Sequence, residues 1–299
     1  MVPLAKLKIM RYNCVDWEGD NVIMKKCLFR FMLMFVLAVS LMLPSVGRCE
    51  HGLPYSSYAP VLMYHDLKPV PLNGFDVTPE AFERQLDWLK SNGYRTLSID
   101  EYIECIDKGA FPEKSVLITF DDGYQGIYDY AVPALTKREM KAVFFIITDA
   151  VDTALNGYPY ITAKELKEIS KNPYVSIGSH SVTHPSDLRL GTYRENLHEF
   201  MGSRGFLRRV TGQDCNALAY PCGNYDEPVI WAVSEAGYKA AFSVQRRGAM
   251  GQDTRWSIPR IYMGLSFCEN DDYLFKKYVQ EYAQMDEGMF KEQYYWINE

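Results

Sequence analysis

An α/β fold, its parallel strands closing into a single barrel-like domain of about seven strands, is what the sequence predicts. Two observations point to it. From Pro60 onward, apolar or β-branched runs alternate with longer amphipathic stretches, the pattern of successive β-α-β units. No repeat, glycine-rich linker or low-complexity tract interrupts that alternation, so residues 58–268 read as one domain. The 299 residues, 47% hydrophobic and 23% charged, have ordinary globular composition, which excludes collagen-like and wholly disordered chains.

The first strand is Val61-Leu62-Met63-Tyr64. Thr78-Pro79-Glu80 then caps a helix from Pro79 to Lys90, with Phe82, Leu86 and Leu89 at helical spacing and Asn92-Gly93 ending it. A short helix starts at Ser98, where Glu101 completes a capping box, and stops near Gly109. The strand Ser115 to Phe120 is followed by a helix from Gln125 to Lys137 and a strand from Ala142 to Thr148. Further on come helix Ala163 to Lys171, strand Tyr174 to Gly178, helix Thr192 to Val210, strand Ala217 to Tyr220 and helix Glu227 to Ala236. Strands Lys239 to Val244 and Ser257 to Tyr262 complete the set, and the segment 269–299 is expected to fold as a closing helical tail.

Ahead of this domain, Met24-Lys25-Lys26-Cys27-Leu28-Phe29-Arg30, the apolar run Phe31 to Leu43 and Pro44-Ser45-Val46-Gly47 have the three-part build of a secretory signal. Residues 24–49 are therefore expected to be a signal peptide, cleaved between Gly47 and Cys49, or a retained membrane anchor. Residues 1–23 carry Asp16, Glu18 and Asp20 where a signal is cationic, so they read as an upstream extension, with Met24 the candidate start. The expected location is secreted, periplasmic or cell-surface, with membrane or cell-wall association through this segment. Thirty-two Lys and Arg against 38 Asp and Glu leave a net charge of −6, a poor match for nucleic acid. Beyond the leader, Cys105, Cys215, Cys222 and Cys268 allow three complete disulfide pairings and show no zinc-type spacing.

In parallel β/α folds chemistry collects at the carboxyl ends of strands, and the polar residues obey that rule. Asp121-Asp122-Gly123 follows the strand Val116 to Phe120, so that one carboxylate can bind a cation while its neighbour moves a proton; the same residues would also make a turn and helix cap. His180 and His184 follow the strand ending at Gly178, four residues apart as on one helical turn, and Pro185 limits any helix there to a single turn. Two His and a carboxylate leave positions open for water and substrate, as a catalytic metal site requires. His65 ends the first strand as a third ligand, a general acid or a packing residue, and Asp66 beside it either orients the ring or caps a turn.

Together, Thr119-Phe120-Asp121-Asp122-Gly123-Tyr124, Ser179-His180-Ser181-Val182-Thr183-His184 and Ala219-Tyr220-Pro221-Cys222-Gly223 resemble the polysaccharide deacetylase family, carbohydrate esterase family 4. The resemblance implies a distorted (β/α) barrel that hydrolyses N-acetyl groups with a divalent metal ion, zinc first, with nickel, cobalt or iron as alternatives. It implies Asp121 as base, Asp122, His180 and His184 as metal ligands, and Tyr124, Tyr220, Pro221, Cys222 and Gly223 as substrate-binding residues. No His follows His198, whereas much of the family carries its catalytic His late. Met63-Tyr64-His65-Asp66 and Ser257-Ile258-Pro259-Arg260-Ile261 instead resemble the branch acting on poly-β-1,6-N-acetylglucosamine. By that resemblance His65 is the acid and Arg260 supports Asp121. Two positions depart from the family: Ala219 stands where Arg is common, and Cys222 where an aromatic is common. The alternatives are a deacetylase of peptidoglycan or chitin oligomers, and a catalytically silent carbohydrate-binding module using its Tyr and Trp.

Overall fold

The computed structural model describes residues 55–56, 59–155, 157–244 and 255–284. The upstream extension, the signal or anchor segment and the last residues of the tail lie outside them.

Seven parallel strands form the central sheet: β1 (Val61–Tyr64), β3 (Ser115–Phe120), β4 (Ala142–Ile146), β5 (Val175–Ser179), β6 (Ala217–Ala219), β7 (Ala240–Phe242) and β8 (Ile261–Tyr262), in the order β7-β6-β5-β4-β3-β1-β8. Six lie within the runs read from the sequence, and β5 extends one residue past its run, to Ser179. An eighth, β2 (Arg95–Thr96), pairs with the start of β3, while β4 pairs with its end; two residues are too few to show a period. Every residue of β3 and β4 is buried, which is why these strands read as unbroken apolar runs rather than alternating ones. Phe242 of β7 bridges in parallel to Ile258, and three residues later β8 pairs with β1. The segment 258–262 thereby joins the two ends of the sheet and curls it into a distorted barrel.

The helices follow the sequence signals. In α1 (Pro79–Ser91) Thr78 accepts a hydrogen bond from Ala81 N, and Phe82, Leu86 and Leu89 are buried. In α2 (Ile99–Lys108) the capping box of Ser98 and Glu101 is complete, and Gly109 ends the helix at φ 62°. The predicted helix from Gln125 to Lys137 is instead a π turn, Ile127–Ala131, running into α3 (Val132–Arg138). Pro133 is the cause: it lacks an N–H and its ring crowds the carbonyl four residues back, so the ladder loosens and Val132 N donates to Ile127 O. The remaining helices are α4 (Ala163–Ile169), α5 (Tyr193–Thr211), α6 (Glu227–Glu235) and α7 (Tyr273–Gln284). In α7 Phe275 and Val279 are fully buried against the barrel. Among the described residues no helix is long and apolar enough to cross a membrane.

Candidate active site

The carboxyl ends of β1, β3, β5 and β6 open on one cleft of about 570 Å³. Register fixes who meets whom. Tyr64 pairs with Phe120, and Asp121 N donates to Tyr64 O at 2.9 Å, so His65 and Asp121 leave the sheet at the same level. His180 N donates to Ile146 O at 2.9 Å, placing the next ring on the same rim.

Asp121 and Asp122 are neighbours with opposite surroundings. Asp121 is 2% exposed and held by a two-pronged ion pair, Arg260 Nη1 donating to Oδ1 at 2.6 Å and Nη2 to Oδ2 at 2.7 Å. Arg260 is itself buried, its Nε donating to Ser243 O at 2.9 Å. Burial pushes the Asp121 carboxyl up, but the Arg260 charge and hydrogen bonds, aided by His180, hold it at about 2. Asp122 turns away at φ 71°. Its carboxyl is pushed up to about 6 by burial, against the opposing charge of His65.

His180 Nδ1 bonds Ala219 O at 2.8 Å. Since a carbonyl only accepts, the ring proton sits on Nδ1 and Nε2 is left as a free lone pair. Nε2 lies 3.4 Å from Asp122 Oδ1, and His184 Nε2 lies 3.7 Å from the same oxygen. Burial holds His180 down to about 3 and lowers His184 as well. Donor atoms of Asp122, His180 and His184 all fall within 4.8 Å of one another. Two neutral imidazoles and one carboxylate converging on a point are a donor set that fits a divalent cation.

The two rings do not meet on a helical turn, as their spacing suggested. Ser181 and His184 adopt φ 64° and 57°, folding the segment into a loop. Ser181 Oγ accepts from His184 N at 3.1 Å, while Glu199 on α5 accepts from the N–H groups of Val182 and Thr183, both at 2.9 Å. Glu199 was missed by sequence reasoning: nothing local distinguishes it from other charges on an amphipathic helix.

His65 and Tyr124 line the cleft, as do Tyr220 and Cys222. Tyr124 stacks on Tyr160 with ring centres 4.8 Å apart. Tyr220 stacks on Tyr225 at 4.6 Å and donates its hydroxyl to Trp256 O, so its ring is committed to the barrel wall. Cys222 is exposed, at φ 52°. Pro221 and Gly223 are buried and do not line the cleft; Gly223, at φ 71°, lies where a Cβ would come within 2.2 Å of Val244 Cγ2. Asp66 neither orients His65 nor caps a turn. It is buried and paired with Lys68 at 3.2 Å. Cys105, Cys215, Cys222 and Cys268 are all free thiols, so none of the three pairings forms. Met63, Asn73, Phe75, Asp76, Val244 and Tyr262 complete the lining. Sequence alone did not select them, because each comes from a loop or strand end whose place depends on the closed barrel.

A parallel β/α barrel with a carboxylate–histidine cluster and a buried Asp–Arg pair at its strand ends has the build of a hydrolytic enzyme. Comparison with known proteins narrows the class. Residues 108–241 match the family described as polysaccharide deacetylase. YxkH of Bacillus subtilis, named as a polysaccharide deacetylase, is 31% identical over 204 residues, covering 68% of this chain and 70% of that protein. The poly-β-1,6-N-acetyl-D-glucosamine N-deacetylase of Staphylococcus epidermidis is 29% identical over 226 residues, covering 72% and 75%. Among solved structures, the Streptococcus pyogenes deacetylase PplD in complex with acetate superimposes with a TM-score of 0.66 at 27% identity, covering 75% of this chain and 98% of that one. The chain belongs to the polysaccharide deacetylase family.

Proposed function

We propose that the protein removes N-acetyl groups from an N-acetylglucosamine polysaccharide, poly-β-1,6-N-acetylglucosamine foremost, releasing acetate, and that it requires a divalent cation at Asp122, His180 and His184. The observation that carries this reading is the sharing of one cleft by that donor set, His65 and an Asp121 paired with Arg260. The similarity to the staphylococcal enzyme supports the choice of polymer.

A divalent cation bound there would acidify water and polarise an acyl carbonyl, which is what a base as weak as Asp121 needs. Asp121 accepts the proton of the attacking water, and Arg260 keeps the carboxylate ionised and fixes its two oxygens. His65 donates a proton to the departing nitrogen, a step amide cleavage demands because an amide anion leaves poorly. In the turn Tyr220 to Cys222, Tyr220 N is spent on Phe242 O and Pro221 has no N–H, which leaves the backbone amide of Cys222 as the donor for a developing oxyanion.

The cationic, apolar and small-residue order of residues 24–49 supports export to the surface or beyond, where such a polymer would be met. Acetate release is to be measured from partly acetylated β-1,6-glucosamine polymer, chitin oligomers and peptidoglycan, before and after chelation and with zinc, nickel, cobalt or iron(II) restored. The expected result is chelator-sensitive release, greatest on the β-1,6 polymer. Full activity after exhaustive chelation would overturn the metal requirement, and binding without release would favour a silent carbohydrate module.

A further inference from the structure

No side-chain hydrogen bond orients His65 at Nδ1. Its Nδ1 is buried and has no hydrogen-bond partner among the described residues, unlike His180, whose Nδ1 is tied to a carbonyl. The neighbouring carboxylate, Asp66, is occupied by Lys68. What touches the His65 ring is aromatic: Phe75, edge-on with centres 5.0 Å apart, and Tyr262 at 6.3 Å, which in turn meet each other at 5.5 Å.

Phe75 is 53% exposed, so burial alone does not account for a large apolar side chain held there. Its backbone is nevertheless pinned. Phe75 N donates to Asn73 Oδ1 at 2.7 Å, Leu72 N donates to Asp76 Oδ2 at 2.7 Å, and Gly74 O accepts from Leu265 N and the Tyr262 hydroxyl. Asn73 Nδ2 reaches Tyr158 OH at 3.1 Å, and Lys68 Nζ sits 3.5 Å above the centre of the same ring. The loop 68–76 is thus stapled to both walls of the cleft, with Phe75 delivered against His65.

We propose that Phe75 is the positioning residue for His65: its ring edge, backed by Tyr262, fixes the imidazole by packing where no hydrogen bond does. An unpartnered Nδ1 gives the ring no hydrogen bond to fix its plane, so packing against the aromatic edge is what sets it. This inference builds on the role proposed above for His65, but its physical content does not depend on that role.

The test combines kinetics on partly acetylated β-1,6-glucosamine oligomers with ¹⁵N-histidine NMR of the full chain, for Phe75→Ala, Phe75→Leu and Phe75→Tyr. For Phe75→Ala, and less severely Phe75→Leu, kcat is expected to fall about 10- to 100-fold, the cost of a misplaced catalytic group. KM and metal content should change little, and Phe75→Tyr, which restores the ring edge, should recover most of the loss. In the spectra, one sharp set of His65 ring ¹⁵N signals should broaden or move in the Ala and Leu variants and return in Tyr. A raised KM at unchanged kcat would make Phe75 a substrate contact instead and overturn the proposal, as would His65 signals indifferent to all three substitutions. If the wild type releases no acetate, the functional reading fails by itself, and the spectra still decide whether Phe75 orients the ring.

Discussion

The two sides of the cleft are held in place by different physics. On the β3–β5 side, Asp121 is gripped by Arg260 and His180 by Ala219 O, while the loop carrying His184 hangs on Glu199. Each of these links is directional, and those to Asp121 and His180 set a protonation state as well as a position. On the β1 side, His65 is held by aromatic packing and its Nδ1 is left unpartnered. Groups that must stay ionised, or offer a lone pair, are fixed by charge and hydrogen bonds. The group proposed above as the acid is instead fixed by packing, with no hydrogen bond at its Nδ1.

Breaking the directional side should have the largest consequence. Asp122→Asn and His180→Ala are expected to lose bound metal and fall to background turnover, as read by metal analysis of the purified variants beside acetate release. Asp121→Asn sharpens the contrast within the same side: metal should be retained while turnover drops about 10²- to 10⁴-fold, the range for a positioned proton-transfer group. His65→Ala should lose a similar factor with metal and melting temperature close to wild type, because no hydrogen bond is broken.

Arg260→Met probes stability instead. It strands a buried carboxylate, which costs about 3–5 kcal/mol, and denaturant titration should show it. Adding Asp121→Asn should recover part of that loss.

A smaller effect comes from Asp122, whose carboxyl is raised to about 6 chiefly by burial. The ligand form is the carboxylate, so protons compete with the cation as pH falls through that value. Affinity should weaken by about tenfold per unit below it, and calorimetric titration between pH 7 and 5 checks the slope. Smallest is Ser98→Ala, far from both sides: losing the cap of α2 should cost about 1 kcal/mol and leave kcat untouched.

Much of the architecture was legible in the chain because its signals are local. Thr78 ahead of Pro79 and Ser98 with Glu101 are caps that act within one turn, and apolar strand runs reflect burial on both faces. The candidate metal donors were legible because they directly follow strands, and strand ends in a parallel sheet share a rim. The shape of the His180–His184 loop was not, since two left-handed residues held by Glu199, a helix away, replace the expected helical turn. The π turn before Pro133 and the Asp66–Lys68 pair, by contrast, are local effects that the sequence reading passed over.

By itself, then, the sequence determined the alternating elements, their caps and the kinds of side chain at each strand end, because those depend on interactions within a few residues. The pairing of Arg260 with Asp121, 139 residues away, was implied only by family resemblance and takes its two-pronged geometry from the tertiary structure, which alone decided that Phe75 would stand against His65. Both contacts exist because the barrel closes through the segment 258–262, and no local energy term in the chain records that closure.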